Sequence, residues 1–555
     1  MTNRDSTAFG FRTLSALLFV FAFFALVPAI FYGPPLGHSL GNNLVWLSSF
    51  DAAIWRGEIY PRWMPELWFG AGAPDFFFYG PLPFWVTSTA GRALCWQCDI
   101  PNLLNAGTLV ILCVSGCGYY LFAQRFLDRE KAFIAAGLYM ILPYHLMIDW
   151  GVRQALGELA AFAVFPFICY FLVGLFQGIR GSGTGVSVGV AALTFSHLPS
   201  VVICACVLAP ATLVLGIVKS RSCAETVRFL LAASGFALLG LGLSSIYWLP
   251  AFSLLPDVAS ETLWQTSFNW SHWLFFDGMA EPNPPMMMLL KLWLVFTSVL
   301  LLVFAKRLWS SPDVAIWCYL PLIVAWIFMT PVSWAMWRTL PFLQAIQFPW
   351  RFMMMAEFGV PLAVAFALPK LKIIPSATML LVLSLLSGVG GYELGNIMGV
   401  SRQIVDGNVA DHLSAWEYLP KTAFGPIVKL TGGKRDALRS DWIANPSEIS
   451  QSGITQLSSR HLIVDVDVLA PTQVVVRQFF WKLWTAHDVA TGQTIKLSPE
   501  TKFGLIAIDA PAGKSKIALD LGWDWSEKLG MGVSLLSAAL LLLVGFWRRN
   551  AKGLS

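Results

Sequence analysis

The stretch GPPLGHSLGNNLVW, residues 33–46, follows a long apolar run and gathers His38, Ser39, Asn42 and Asn43 with no carboxylate among them. Carboxylates come a little later: Asp51 in SSFDAAIW and Asp75 in GAGAPDFFF. A histidine or a carboxylate is what a reaction needs to take a proton from an acceptor hydroxyl. Two arginines stand at helix ends, Arg153 in WGVRQALGELAAF and Arg351 in IQFPWRFM. A guanidinium presents a planar fork that grips phosphate oxygens two at a time. Glu158 and His197, the latter in FSHLPS, are further polar groups inside apolar surroundings. Each has a plainer reading. Arg153 and Glu158 can pin two helices as an ion pair, and His197 can serve as a packing hydrogen bonder. Arg351 can act as an interfacial anchor, and Asp51 can lie on the solvated face of a helix.

These residues need a frame, and the composition says which kind. Of 555 residues 56% are hydrophobic and 12% are charged, about half the charge of a soluble protein. That is a polytopic membrane protein. The 25 Trp and 41 Phe suit chain that crosses membrane interfaces many times. No basic run resembles a nucleic-acid patch, so no nucleic acid is expected as a partner.

Apolar runs of spanning length fall at about 12–32, 103–123, 131–148, 156–178, 184–196, 199–218, 228–250, 287–305, 312–330, 350–368, 373–393 and 528–547. That is about twelve transmembrane helices, with 184–218 read as two helices meeting at the polar break SHLPS. With the N-terminus and Arg4 inside, the loops RFLDREK, GIRGSG, VKSRSCAETVR, AKRLW and PKLK and the tail WRRNAKG all fall inside. They are short and basic, as the positive-inside rule requires. Both termini are then cytoplasmic.

Three large pieces lie outside: 33–102, 251–286 and 394–527. The first carries a predicted amphipathic surface helix over 43–56, with Leu44, Leu47, Phe50, Ile54 and Trp55 on its apolar side. The last holds HLIVDVDVL, TQVVVRQFFW, QTIKL, FGLIAID and KIALDL, partly alternating runs separated by turn residues. They predict a β-rich, sandwich-like domain. The expected organisation is a transmembrane domain over 1–393, this domain over 394–527, and a final helix with a basic tail over 528–555. Cys95 and Cys98 in CWQC are either a disulfide or two unrelated thiols. Asp51, Asp75, Asp149 and Glu261 are enough acids for one divalent metal, but no spacing declares a site.

Several motifs in order carry a resemblance over nearly the whole length. They are GEIYPRW with GAGAPDFFFYGPLPFW, PYHLMIDWGVRQALGELAA, SHLP, YWLPA, IQFPWRF, EYLP, and FFWKLWTAHD with KFGLIAIDAPAG. The chain resembles the GT-C superfamily of membrane glycosyltransferases. Within it, the chain is similar to the bacterial YfhO-like and "6-pyruvoyl-tetrahydropterin synthase-related" membrane proteins. The resemblance implies a polyprenyl-phosphate-linked sugar donor, a glycan or lipid acceptor, a bacterial inner membrane, and a base on the first outer loop. The family pattern there is Gly-His-Asp with a His four residues after the Asp. Here Ser39 holds the place of the Asp and Asn43 that of the second His, while His38 remains. Serine is no base at neutral pH without help.

The expectation is therefore a glycosyltransferase with Asp51 or His38 as the base and Arg153 and Arg351 on the donor phosphate. Ser39, Asn43, Asp75, Glu158 and His197 would line the cavity, and membrane lipids would surround it. The alternative is a non-catalytic relative, a binding or assembly partner in envelope glycan synthesis, which the changes at Ser39 and Asn43 favour. A transporter has less support, because its polar groups should gather near the midplane between repeated halves.

Overall fold

The structure is a computed structural model that describes residues 11–264, 268–278, 282–369, 373–398, 414–430 and 449–550. Arg4, part of the PKLK loop and the end of the basic tail lie outside these residues, as do 399–413 and 431–448 of the expected 394–527 domain.

Among the described residues eleven helices are long and apolar enough to cross a membrane. The chain is a multi-span membrane protein. The twelfth expected span is the helix Ser182–Ser196, of 15 residues. At 1.5 Å per residue it reaches about 22 Å, short of the hydrocarbon thickness of about 30 Å. His197 breaks it from Leu198–Lys219, with the backbone extended there at φ −163°, so the polar break falls where the sequence places it.

One span departs from expectation. The sequence ends the third span near residue 148, yet the helix restarts at Pro143 in π form and runs to Arg153. Pro143 cannot donate to the α ladder, and a wider π turn is one way to continue past the break. Glu357, wholly buried, caps the new start by accepting from the backbone N–H of Tyr144 at 3.1 Å and of His145 at 3.0 Å. It also accepts from Trp293 Nε1 at 2.8 Å.

The first large loop packs onto the ends of the spans. Its helix Leu40–Trp55 buries Leu44, Leu47 and Phe50, but it also buries Asn43, Trp46 and Asp51. It is walled by protein on several sides, which corrects the picture of a helix lying on the membrane surface. Ser459 N–H and the Ser459 hydroxyl donate to Glu58 in the same loop.

Among the described residues eight strands form two sheets. β1 (Ile449–Ser458), β2 (His461–Val468), β8 (Gly513–Leu521), β4 (Trp484–Asp488) and β5 (Thr494–Ile495) pair in that order. β3 (Thr472–Phe479), β7 (Leu505–Ala510) and β6 (Leu497–Pro499) make the second sheet. Pairing throughout is antiparallel. Val464, Val466, Val476, Ile508, Ile517 and Leu519 fill the interior. β1 and β4 are not among the expected runs; ISQSGITQLS is too polar to announce itself.

The sheets are locked to the first loop. Trp63 Nε1 donates to Gln478 Oε1 at 2.7 Å, and Gln478 Nε2 donates to the Pro65 and Gly70 carbonyls. Phe479 N–H donates to the Ala71 carbonyl at 2.5 Å. Buried Arg62 lies 3.4 Å from buried Glu527 at the start of the final helix Trp525–Asn550, and Arg460 pairs with the same carboxylate.

Candidate active site

The π segment sets the geometry. It ends at Arg153, and Gln154 follows in the left-handed region at φ 53°. That reversal starts the helix Leu156–Phe176 with Glu158 in its first turn, where a carboxylate is favoured by the helix dipole. Asp149, Arg153 and Glu158 thereby converge. Arg153 Nη1 lies 2.5 Å from Asp149 Oδ1 and 2.7 Å from Glu158 Oε2. Arg351 comes in from the short helix Pro349–Phe352, its Nε 3.3 Å from the same Glu158 oxygen. Tyr144 donates its hydroxyl to Glu158 Oε1 at 2.5 Å. Arg153 stacks over Trp350 and Arg351 over Phe348.

The stretch that opened the sequence docks against this turn. His38 N–H donates to the Val152 carbonyl and Ser39 N–H to the Arg153 carbonyl, both at 2.9 Å. Asn43 Nδ2 donates to the Gln154 carbonyl at 2.6 Å. Gly37 lets the strands of chain meet, since a Cβ there would fall 2.7 Å from Gln154 Cγ and 2.8 Å from the Gly151 carbonyl oxygen. Asn43 thus holds the Arg153–Gln154 turn in place.

Above the arginines is a cavity of about 220 Å³. Arg153, Arg351, Glu158 and His197 line one side, with Ser39 and Asn42 beside them. Trp46, Phe78, Tyr79, Tyr247, Trp264 and Tyr418 give it aromatic walls, and Glu417 adds a second carboxylate. All of these come from segments that join spans at one end of the bundle, or from the ends of those spans. Five described non-glycine residues have positive φ. Gln347 lines the cavity, and Gln154 sits between the lining residues Arg153 and Ala155. Such conformations cost of order 1–3 kcal/mol each and collect where function holds them.

The expected site residues divide. Arg153, Arg351, Glu158, His197 and Ser39 meet at the cavity. Asp51 does not line it; its carboxylate is engaged by Arg92 at 2.6 Å. Exposed His38 is absent from the lining, though its backbone neighbours Arg153. Asp75 lies behind the aromatic wall, fully buried, and its Oδ2 accepts from Trp46 Nε1 at 2.6 Å and from the Ser414 hydroxyl. Burial pushes the Asp75 carboxyl up to about 7. Glu417 is the residue that motif reading passed over. It stands in EYLP, on the 3-10 turn Trp416–Tyr418. Burial raises its carboxyl above the ordinary glutamate range, and among the described residues its side chain has no ion-pair partner.

The four acids weighed for a metal are scattered. Asp51 pairs with Arg92, Asp149 with Arg153 and Glu261 with Lys421, while Asp75 is held by Trp46 and Ser414. Among the described residues no group of three or more His, Cys, Asp or Glu side chains is placed to hold a metal ion. Cys95 and Cys98 are joined as a disulfide.

No protein-family model matches the chain, and neither does any curated protein. Two solved structures are similar to it in fold. One is the oligosaccharyltransferase of Archaeoglobus fulgidus in its apo form. It is 12% identical over 78% of this chain and 59% of that one, with a TM-score of 0.39. The other is the arabinofuranosyltransferase AftD from mycobacteria, 13% identical over 73% of this chain and 28% of that one, with a TM-score of 0.41. The chain thus spans less than two thirds of either. At these scores the likeness is loose, and the functional reading rests on the cavity.

Proposed function

We propose that this chain is a membrane glycosyltransferase that moves a sugar from a lipid-phosphate donor, of the polyprenyl-phosphate kind, to a hydroxyl of a glycan or lipid acceptor at the outer membrane face. The observation that carries the reading is that two arginines and a carboxylate without an ion-pair partner among the described residues line one small aromatic-walled cavity. Arg153 makes its protein hydrogen bonds through Nη1, and so does Arg351. Among the described residues their Nη2 groups have no hydrogen-bond partner and are free for phosphate oxygens. Aromatic walls suit the apolar face of a sugar ring.

In this reading Glu417 takes the proton from the acceptor hydroxyl as its oxygen attacks the sugar's anomeric carbon. The bond from that carbon to the phosphate oxygen breaks, and the leaving phosphate keeps the bonding pair, steadied by Arg153 and Arg351. A carboxyl raised by burial is a stronger base once ionised. Asp51 and His38 give up the role to Glu417 because neither lines the cavity.

A second reading is a non-catalytic binding or assembly partner. It is favoured by the countercharge that Asp149 and Glu158 already supply to both arginines. One experiment separates the two. The gene is deleted and the lipid-linked and surface glycans are profiled by mass spectrometry. The strain is then complemented with wild type, Asp51→Asn and Glu417→Gln at matched membrane levels. Restoration by wild type and Asp51→Asn, with none by Glu417→Gln, supports the transferase. Full restoration by Glu417→Gln removes the proposed base and supports the binding partner.

A further inference from the structure

Glu417 reaches the cavity on a short turn, and one of the buried contacts beside that turn is polar. Ser414, three residues before it, is buried and donates its hydroxyl to Asp75 Oδ2. Trp46 Nε1 lies 2.6 Å from the same carboxylate oxygen and 2.7 Å from Ser414 Oγ. Three residues from distant parts of the chain therefore close one buried knot, and two of its members touch the site: Trp46 lines the cavity, and Ser414 leads into the turn that carries Glu417. Around the knot ring contacts and a backbone hydrogen bond, from Ala259 N–H to the Leu419 carbonyl at 3.0 Å, hold the turn. Tyr418 stacks on Phe78 at 5.5 Å, and Trp416 meets Trp68 edge-on at 5.0 Å. Val258 bridges to Pro420 on the far side of the turn.

A buried aspartate is an expensive way to accept two hydrogen bonds. Its other oxygen, Oδ1, is buried without a hydrogen-bond partner in the structure. An apolar contact would have anchored the turn at lower cost. What a carboxylate adds is direction: one oxygen receives the indole and the hydroxyl together, which sets the turn's rotation as well as its position. The substitution Asp75→Asn would keep one acceptor oxygen for both donors, whereas Asp75→Ala would leave the Ser414 hydroxyl without its acceptor and the Trp46 indole with Ser414 Oγ alone.

We propose that Asp75 is a positioning residue, which through Ser414 and Trp46 holds Glu417 in the lining of the cavity that Arg153 and Arg351 share. The assignment rests on Glu417 acting at the cavity, and it adds the residue that aims it. Asp75 touches no substrate in this scheme, since it stands behind Trp46.

The test needs no substrate. The purified full-length protein in detergent is treated with a water-soluble carbodiimide and glycine ethyl ester, and modified carboxyls are counted by peptide mass spectrometry over time. Glu357, buried in the spans, and Glu500, on the β-sheet surface, serve as internal references. Asp75→Ala is expected to raise the rate at Glu417 by about tenfold, as the loss of two hydrogen bonds to a carboxylate frees the turn, with both references unchanged. Asp75→Asn is expected to stay within about threefold of wild type, since it keeps the acceptor. Should Asp75→Ala fail to fold, Ser414→Ala cuts the same link by removing one hydroxyl and is expected to raise Glu417 labelling alone. An unchanged Glu417 rate in Asp75→Ala, or in Ser414→Ala where the first does not fold, overturns the assignment. So does Asp75→Asn labelling as fast as Asp75→Ala. None of these rates depends on sugar transfer, so failure of the positioning role and failure of the transferase reading are seen separately.

Discussion

Glu158 is the keystone of the arginine pair, and replacing it by glutamine tests whether the cluster is held as described. The substitution keeps the shape and leaves an acceptor for Tyr144, but it takes away the charge that Arg153 and Arg351 share. Asp149 then remains as the only carboxylate bonded to Arg153 among the described residues. Breaking a buried ion pair from one side costs about 3–5 kcal/mol, because the partner charge stays buried. With an unfolding entropy of about 2 cal/mol/K per residue over 555 residues, that is a fall of about 3–4 °C in Tm. The assay is thermal unfolding of purified protein in one detergent, followed by intrinsic tryptophan fluorescence. The double variant Glu158→Gln with Arg351→Gln removes one surplus cation and should recover part of the loss, with a coupling of about 1–3 kcal/mol. Strictly additive losses, or a Glu158→Gln protein as stable as wild type, would refute the shared-carboxylate geometry.

Other outcomes follow from the same structure. Gly80→Ala should destabilise by at least about 1–3 kcal/mol, since the new Cβ would fall 2.2 Å from the Ser196 backbone oxygen; a protein that unfolds at the wild-type temperature counts against that close crossing. Folding raises the Asp75 carboxyl from 3.8 to about 7. Its contribution is therefore full below about pH 4 and is lost as the pH climbs through about 7. Stability should decline by roughly 4 kcal/mol across that window and then level off, and Asp75→Asn should flatten the profile; parallel unfolding curves for the two proteins would contradict the shift. Arg92→Ala breaks the pair with Asp51. It leaves a buried carboxylate without its cation, should cost about 3 kcal/mol and should leave the glycan profile intact, so loss of the glycan at normal membrane levels would restore Asp51 to the site.

Much of the frame was legible because it depends on local composition. Runs of apolar residues announce spans, and the Ser196–Pro199 break shows itself as a polar interruption. Arg153, Glu158, His197 and Arg351 stood out because ionisable groups in apolar surroundings are costly. The π segment was hidden. The apolar run gives out near residue 148, and Glu357, more than 200 positions away, supplies the cap from which the π turn runs on to Arg153. Glu417 was invisible for a related reason. Nothing near EYLP marks half-buried Glu417 as facing a cavity; its surroundings come from the first loop and from the 245–264 and 345–351 segments. Asp51 misled because a carboxylate on the first loop fits the expected place of a base, and its partner Arg92 is 41 residues distant.

The lock between Arg62 and Glu527 has a consequence for biogenesis. The two residues stand 465 positions apart, and Glu58 likewise waits for Ser459. At 5–20 residues per second, a ribosome takes roughly 25–90 s to make the chain between Arg62 and Glu527. Over that interval the buried arginine of the first loop has its rings, Tyr60 and Phe77, and later the Ile246 carbonyl, but no carboxylate. Until the last helix is made, that buried cation lacks the countercharge that the finished fold gives it. A chain cut short before residue 527 leaves a cation where the fold requires a pair, which gives quality control a means of telling finished molecules from incomplete ones.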